Sequence, residues 1–175
     1  MAELLTHVLV PYILLTVAGW VRGEIDDRWI AVAMGGAAIP DLVKVRLIVD
    51  PDMIEQALGI PFTFNHISTL GGVLLIAGII TVAFARRHWR RVYAFLIVGG
   101  LSSLVLDGMR VYADGRANLW LYPFLPAYRP PTPNLYVTSD PRVPVVAVLV
   151  SIVVLLVDRY VIDGVDKIRL RSASE

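Results

Sequence analysis

The chain has 175 residues, of which 57% are hydrophobic and 18% charged, and its formal net charge is +1. This hydrophobicity, with a mean hydropathy of +0.67, lies well outside the usual range for a soluble domain of this length and indicates an integral membrane protein. The small net charge and the scattering of basic residues through loops argue against nucleic-acid binding. There is no Cys, so any metal would be held by His, Asp, Glu or backbone oxygens.

The apolar segments predict an all-α, integral membrane helical bundle with four to five spans. The first segment, "MAELLTHVLVPYILLTVAGW", lacks a basic start and a cleavage site, so we interpret it as a retained span. The second, "RWIAVAMGGAAIP", meets Pro40 and Asp41 after about a dozen residues, which predicts a short, broken or re-entrant segment, and we favour an interrupted crossing. The predicted spans are about residues 4–21, 29–49, 66–85, 92–112 and 143–162.

These spans form one predicted membrane-embedded domain, residues 1–163, followed by a short tail, residues 164–175. The loop "RRHWRR" at 86–91 contains four Arg, so the positive-inside rule makes it cytoplasmic, and alternation then places the basic tail inside as well. The aromatic loop at 113–142 is then expected to face outward. If the segment at 29–49 crosses, the N-terminus is expected outside as well; if it does not cross, the N-terminus falls inside and His7 lies on the opposite face. We therefore predict a multi-pass protein of the plasma membrane. The glycine pairs in "TLGGVLL" and "VGGLSSL" are expected to let helices pack closely.

With this topology, four residues with ligand-type side chains fall near the outer ends of their helices: His7, Asp41, His66 and Asp107. A charged residue inside a span raises the free energy of membrane insertion by roughly 2.5 to 3.5 kcal/mol, so such a residue usually has an ion-pair partner or a functional role. Two imidazoles and two carboxylates from four segments are the donor set of a divalent-metal site, with zinc favoured. Such a metal lowers the pKa of its bound water and supplies a hydroxide for attack on an ester or phosphoester.

Each of these residues also admits a simpler interpretation. Asp107 could pair with Arg110 one turn later, or with Arg46, as a structural salt bridge. Asp41 could cap the following helical piece, because Asp is a favoured N-cap residue. His66 could be an interfacial residue at a helix start. The convergence of all four on one membrane face favours the metal interpretation.

Four motifs follow one another over about residues 5–125: "LLTHVLV", "GGAAIPDLV", "FNHISTLGG" and "LVLDGMRVYADGRANLWLYPF". In this order they resemble the YdjM-like family of membrane-bound metal-dependent hydrolases of bacteria and archaea. That family is similar in motif order to soluble zinc-dependent phospholipases C and single-strand nucleases, which are all-helical. The resemblance implies that His7, Asp41, His66 and Asp107 are metal ligands, with Asp107 and His66 taking part in catalysis.

The chain departs from the family pattern at two positions. The family has His-x-x-x-Asp around the helical Asp, which places two ligands on one helical face, whereas this chain has Ser103 at the first position. Asn65 stands where the family usually has Thr. Loss of one imidazole lowers metal affinity, or marks a branch that has kept the fold without the chemistry.

Two functional hypotheses follow. The first is a metal-dependent hydrolase acting on a lipid-linked or phosphoester substrate near the outer leaflet, in contact with membrane lipid. The alternative is a non-catalytic membrane scaffold or subunit that retains the fold, as Ser103 suggests. A transporter or channel is less favoured, because the polar residues gather at one face. Basic residues on the same side would attract a headgroup phosphate or snorkel to the interface; they are Lys44, Arg46, Arg110 and Arg116.

Overall fold

The computed structural model describes residues 2–23, 25–61, 63–119, 121–137 and 140–162. Its α-helices are α1 Ala2–Arg22, α2 Asp27–Ala37, α3 Pro51–Leu58, α4 Leu70–Val82, α5 Trp89–Met109 and α6 Arg142–Val157. Short 3-10 segments occupy Pro40–Leu47, Phe64–Ser68 and Arg86–His88, and a π-helical turn, Asp158–Ile162, continues α6. Within the described ranges the only β-type pairings are isolated bridges, which confirms the all-α prediction. The predicted tail, 164–175, lies outside the described residues.

The long helices alternate in direction along the bundle. His7 near the start of α1 lies 3.7 Å from Asp107 near the end of α5, so these two helices are antiparallel. At the opposite end Arg91, in the first turn of α5, lies over the ring of Trp29, in the first turn of α2. One end of the molecule therefore contains the first residues of α1 and α4 and the last residues of α2 and α5. We call it the site end. The other end carries "RRHWRR" and is called the basic end.

In the part of the chain that the structure describes, three helices are long and apolar enough to cross a membrane: Leu4–Arg22, Arg86–Met109 and Arg142–Tyr160. This finding indicates membrane association. Helix α2 has 11 residues and α4 has 13, so they extend only about 16 and 20 Å, against a hydrocarbon core of about 30 Å. The four to five crossings therefore stay a prediction.

The second apolar segment is interrupted where the sequence predicts it. Helix α2 ends at Ala37, and Pro40 is the first residue of the following 3-10 segment. Pro has no backbone N–H and its ring disfavours continuation of the preceding helix, so the chain leaves the α-helical path here. The break turns the next residue, Asp41, toward the site end of the bundle.

Helix α6 packs against α1 on one side and leaves most of its surface apolar and exposed. Ser151, the hydroxyl residue in its middle, is buried and donates its O–H to the carbonyl of Ala147 at 2.8 Å, so its hydroxyl is satisfied within the helix. The exposed apolar side chains include Val146, Leu149, Val153 and Leu156. A helix with this surface suits contact with hydrocarbon chains.

The core lies between α2, α4 and α5, and glycines let α2 and α5 approach closely. The buried cluster contains Trp29, Ile39, Val73, Ala77, Val92, Leu96 and Leu104. A Cβ added to Gly99 would overlap the carbonyl oxygen of Ala33, and a Cβ added to Gly36 would overlap that of Leu96. This contact confirms the packing role expected for "VGGLSSL", because only glycine permits such a separation.

We expect Gly99→Ala to destabilise the protein by about 1–3 kcal/mol, because the added methyl group forces α2 and α5 apart. Gly35→Ala is the matched control, since nothing lies within 4 Å of the added Cβ at that position. It should be neutral or slightly stabilising. Thermal unfolding of both variants in the same detergent measures the difference, and equal midpoints would contradict the close packing of α2 on α5.

Candidate functional site

The site is built around His7, which is buried in α1 with 2% of its surface exposed. Its ring Nδ1 forms a 2.9 Å hydrogen bond with the hydroxyl of Ser103 in α5, a residue that is fully buried. Asp41 Oδ2 lies 3.6 Å from the same nitrogen, and Asp107 Oδ1 lies 3.7 Å from Nε2. The fold thus brings together three of the four predicted ligand residues, from three separate segments.

Local structure explains why these side chains point at one another. Ser103 and Asp107 are four residues apart in α5 and share one face of that helix. His7 lies in the second turn of α1, which runs antiparallel to α5 at this point. Asp41 enters from the side because the chain breaks at Pro40. A buried imidazole requires polar partners, and these three residues provide them.

Both carboxylates also have a cationic neighbour from their own segment. Lys44 Nζ lies 2.6 Å from Asp41 Oδ1, and Arg110 Nη1 lies 3.6 Å from Asp107 Oδ1. The alternative pairing of Asp107 with Arg110 is therefore present in the structure. Arg46 instead donates to the side-chain oxygen of Asn65 at 3.0 Å.

Asp41 lies outside the three membrane-length helices and does not cap the 3-10 segment, whose cap position is Ile39 with no side-chain cap bond. Partial burial would raise the pKa of the Asp41 carboxyl, but His7 and Lys44 outweigh it and hold this pKa below its ordinary value. Among the described residues Asp41 Oδ2 has no hydrogen-bond partner although it is buried. This oxygen lies 3.6 Å from His7 Nδ1, and a buried carboxylate oxygen without a hydrogen bond is costly.

A cavity of about 440 Å³, with both charged and apolar residues in its lining, opens beside the two carboxylates. The lining residues that bear charge or hydrogen-bonding groups are Asp41, Lys44, Arg46, Asn65, Ser68, Asp107, Arg110, Tyr112 and Asn118. We call this space the head cavity. His7 and Ser103 lie behind its wall, so a molecule in the cavity would meet the carboxylates and cations first.

The chain after α5 folds back over the site end. The backbone N–H of Val111 donates to the carbonyl of Tyr136 at 2.8 Å, and the Tyr136 hydroxyl donates to the carbonyl of Leu106 at 2.8 Å. Further along, Ala117 donates to the carbonyl of Pro130 at 2.9 Å. The chain that follows α5 is thus tied to α5 and to itself, and it supplies Tyr112 and Asn118 to the head cavity.

His66 is not brought to the other three predicted ligands. Its ring stacks on Tyr122 with centroids 4.7 Å apart, and it lines a separate, apolar cavity. The 3-10 segment Phe64–Ser68 separates the two spaces, because Asn65 and Ser68 face the head cavity while His66 does not. A tight 3-10 turn distributes successive side chains around its axis, which the sequence pattern alone does not resolve. Metal ligation and catalysis by His66 stay predictions.

Two donors at the site suit one cation. The separation between His7 Nε2 and Asp107 Oδ1, 3.7 Å, is close to the roughly 3.3 Å between two ligand atoms of a tetrahedral ion with bonds of about 2.0–2.1 Å. Asp41 faces the other ring nitrogen, where a carboxylate orients a metal-ligating imidazole. Among the described residues no three His, Cys, Asp or Glu surround a single ion position. The described residues therefore bring together two of the three or four protein ligands that a zinc ion usually takes.

The sequence motifs missed part of this site. Ser103 was expected only as the replacement for a family His, whereas it is the direct hydrogen-bond partner of His7. The signal for this contact is the spacing of Ser103 and Asp107, which places both on one face of α5. Ser68, Tyr112 and Asn118 carried no such signal, because they reach the head cavity from turns and loops.

Comparison of the chain with protein-family models, with curated proteins and with solved structures finds no match. The resemblance to the YdjM-like family therefore rests on the four sequence motifs. What the structure adds is the placement of the residues in those motifs at one end of the bundle.

We expect Ser103→Ala to destabilise the protein by about 1–3 kcal/mol, because it leaves His7 Nδ1 without this hydrogen bond in a buried position. Ser102→Ala is the matched control, since the Ser102 hydroxyl bonds the carbonyl of Gly99 in its own helix at 2.7 Å. That change should stay within about 0.5 kcal/mol. Thermal unfolding in detergent compares the two, and a larger loss in Ser102→Ala would rule out the proposed importance of the His7 contact.

Proposed function

We propose that the protein is a membrane-embedded, metal-dependent hydrolase of the YdjM-like type, acting on a lipid-linked or phosphoester substrate at the outer leaflet. The observation that carries this proposal is the meeting of His7, Asp41 and Asp107. They come from separate segments and meet beside the head cavity, which is also lined by cationic side chains. Clusters of this kind inside an apolar bundle are expensive, and they more often mark function than packing.

The substrate phosphate would lie in the head cavity. Lys44, Arg46 and Arg110 all line it, and cationic donors stabilise phosphoryl oxygens through charge-assisted hydrogen bonds. Arg46 bonds the neutral side chain of Asn65, so its charge faces no carboxylate at that contact. These side chains would bind and orient the phosphoester, and negative charge developing on its oxygens would be stabilised by the same groups.

His7 Nε2 and Asp107 would hold the metal, and zinc is favoured because it accepts both imidazole and carboxylate ligands. When bound, the metal supplies a water of lowered pKa as the nucleophile. Ser103 and Asp41, on the Nδ1 side of the ring, would keep the His7 imidazole oriented toward the ion. In this proposal His66, which lines the neighbouring apolar cavity, does not hold the metal.

A second function, a non-catalytic scaffold or subunit, is favoured by one observation. Each carboxylate of the site has a cation within 4 Å, and Ser103 bonds the His7 ring. The network is therefore balanced in charge without a metal, as in a buried structural ion-pair cluster.

Metal analysis of detergent-purified protein separates the two functions. We expect about one zinc, manganese or iron ion per chain in the wild type, and at least a ten-fold loss of affinity in Asp107→Asn and His7→Gln, because each removes one of two protein ligands. His66→Ala is the matched control and should retain the metal. Chromatographic and spectroscopic checks of folding accompany each variant.

A wild-type preparation without stoichiometric metal under non-chelating conditions would reject the hydrolase and leave the scaffold. Loss of metal in His66→Ala, with its fold intact, would instead restore the predicted four-ligand site of His7, Asp41, His66 and Asp107.

The site is proposed to face outward, because the Arg-rich turn lies at the opposite end of the bundle. Since the natural chain has no Cys, a single introduced Cys reports its side without background. Leu135→Cys, in the exposed part of the aromatic loop, should react with an impermeant thiol reagent added outside intact cells. Arg87→Cys, at the basic end, should react only after the cells are opened. The reverse pattern would place the site on the cytoplasmic side.

A further inference from the structure

A second cavity, of about 400 Å³, lies next to the head cavity and is lined mainly by apolar groups. Its walls are the first turns of α4 and the part of the aromatic loop that packs on them, joined by the bond from Gly71 N–H to the carbonyl of Tyr122 at 2.9 Å. Leu75 and Ile76 from α4 and Pro123 from the loop contribute apolar surface. We call this space the chain groove. Its volume is typical of a small-molecule site.

The 3-10 segment Phe64–Ser68 contributes residues to both spaces. Asn65 and Ser68 face the head cavity, whereas His66 and Ile67 face the chain groove. A polar space and an apolar space on the two sides of one short turn match the two parts of an amphiphile. Both lie at the site end of the bundle, where lipid headgroups meet hydrocarbon if the helices cross a membrane.

The charge in the head cavity specifies the headgroup. Three cations, Lys44, Arg46 and Arg110, line it with two carboxylates, so the cavity carries a positive excess that favours an anion. Among membrane headgroups the phosphate is the anion that pairs best with the planar fork of arginine and the point charge of lysine.

We propose that the chain groove holds the hydrocarbon chain of a long-chain phosphate or phosphoester lipid whose headgroup lies in the head cavity. This inference rests on the proposed function for the identification of that lipid as substrate. The binding itself needs neither metal nor turnover. His66 then has a role distinct from metal ligation, because its ring, stacked on Tyr122, forms the rim over which the lipid passes.

The test uses photo-crosslinking to the purified full-length protein in nanodiscs. The probe is dodecyl phosphate with a diazirine at the end of its chain, and labelled peptides are identified by mass spectrometry. We expect labelling of residues 66–76 and 122–123 that unlabelled dodecyl phosphate competes away. Inorganic phosphate should compete only at far higher concentration, because it lacks the chain.

Two exposed residues of α4 provide a matched pair of variants. Leu75 is 63% exposed and lines the chain groove, whereas Ile79, one turn further on, is 65% exposed and is not among its lining residues. Leu75→Trp should fill the groove and lower labelling about ten-fold, whereas Ile79→Trp should leave it unchanged. The double variant Lys44→Gln, Arg46→Gln should weaken labelling by a similar factor, because it removes the phosphate-binding charge.

Equal labelling in Leu75→Trp and Ile79→Trp, or labelling spread over α6 without competition, would overturn the inference. So would equal labelling by dodecanol carrying the same diazirine, because the headgroup would then contribute nothing. The wild-type protein purified under non-chelating conditions could hold no metal and have no hydrolytic activity, yet still show competed labelling. That result would count against the proposed hydrolase alone. If the purified protein holds a stoichiometric metal but unlabelled dodecyl phosphate does not reduce labelling by the probe, the result would count against lipid binding in the chain groove alone.

Discussion

The hydrogen-bonded burial of His7 is the interaction on which the rest of the site depends. An imidazole surrounded by an apolar bundle is stable only when both ring nitrogens find polar partners. Ser103 and Asp41 lie on one side of the ring and Asp107 on the other. These contacts join α1, the 3-10 segment after α2, and α5. These polar contacts at the site end of the bundle therefore also hold distant parts of the chain together.

Charge compensation determines which ligands the side chains around His7 favour. Asp41 and Asp107 are each neighboured by a cationic side chain, so the centre is stable as it stands. Among the described residues, one oxygen of Asp41 still lacks a hydrogen-bond donor. The same groups that balance the carboxylates line the head cavity and favour an anionic ligand. In the proposed function a metal and a phosphoester would bring opposite charges to this space, and binding of one would favour binding of the other.

The predictable part of the fold came from local patterns. Hydropathy located every long helix, and the break at Pro40 followed from proline's missing N–H. Helix α3 and the shortening of α4 were not predicted, because polar turns and helix ends depend on contacts that hydropathy does not report. The close approach at Gly99 was foreseen as a packing role for glycine, but its partner Ala33 could only be found in the assembled bundle.

The sequence by itself determined the all-α class and the apolar character that suits a membrane, and it predicted that His7, Asp41, His66 and Asp107 lie at one end, because successive antiparallel helices place their ends alternately at the two ends of a bundle. Tertiary structure decided which of these groups touch. The bond between His7 and Ser103 joins residues 96 positions apart, and only the packing of α1 on α5 specifies it. The same packing, with the 3-10 turn at 64–68, placed His66 on the other wall, because side-chain direction in a tight turn depends on what the turn packs against.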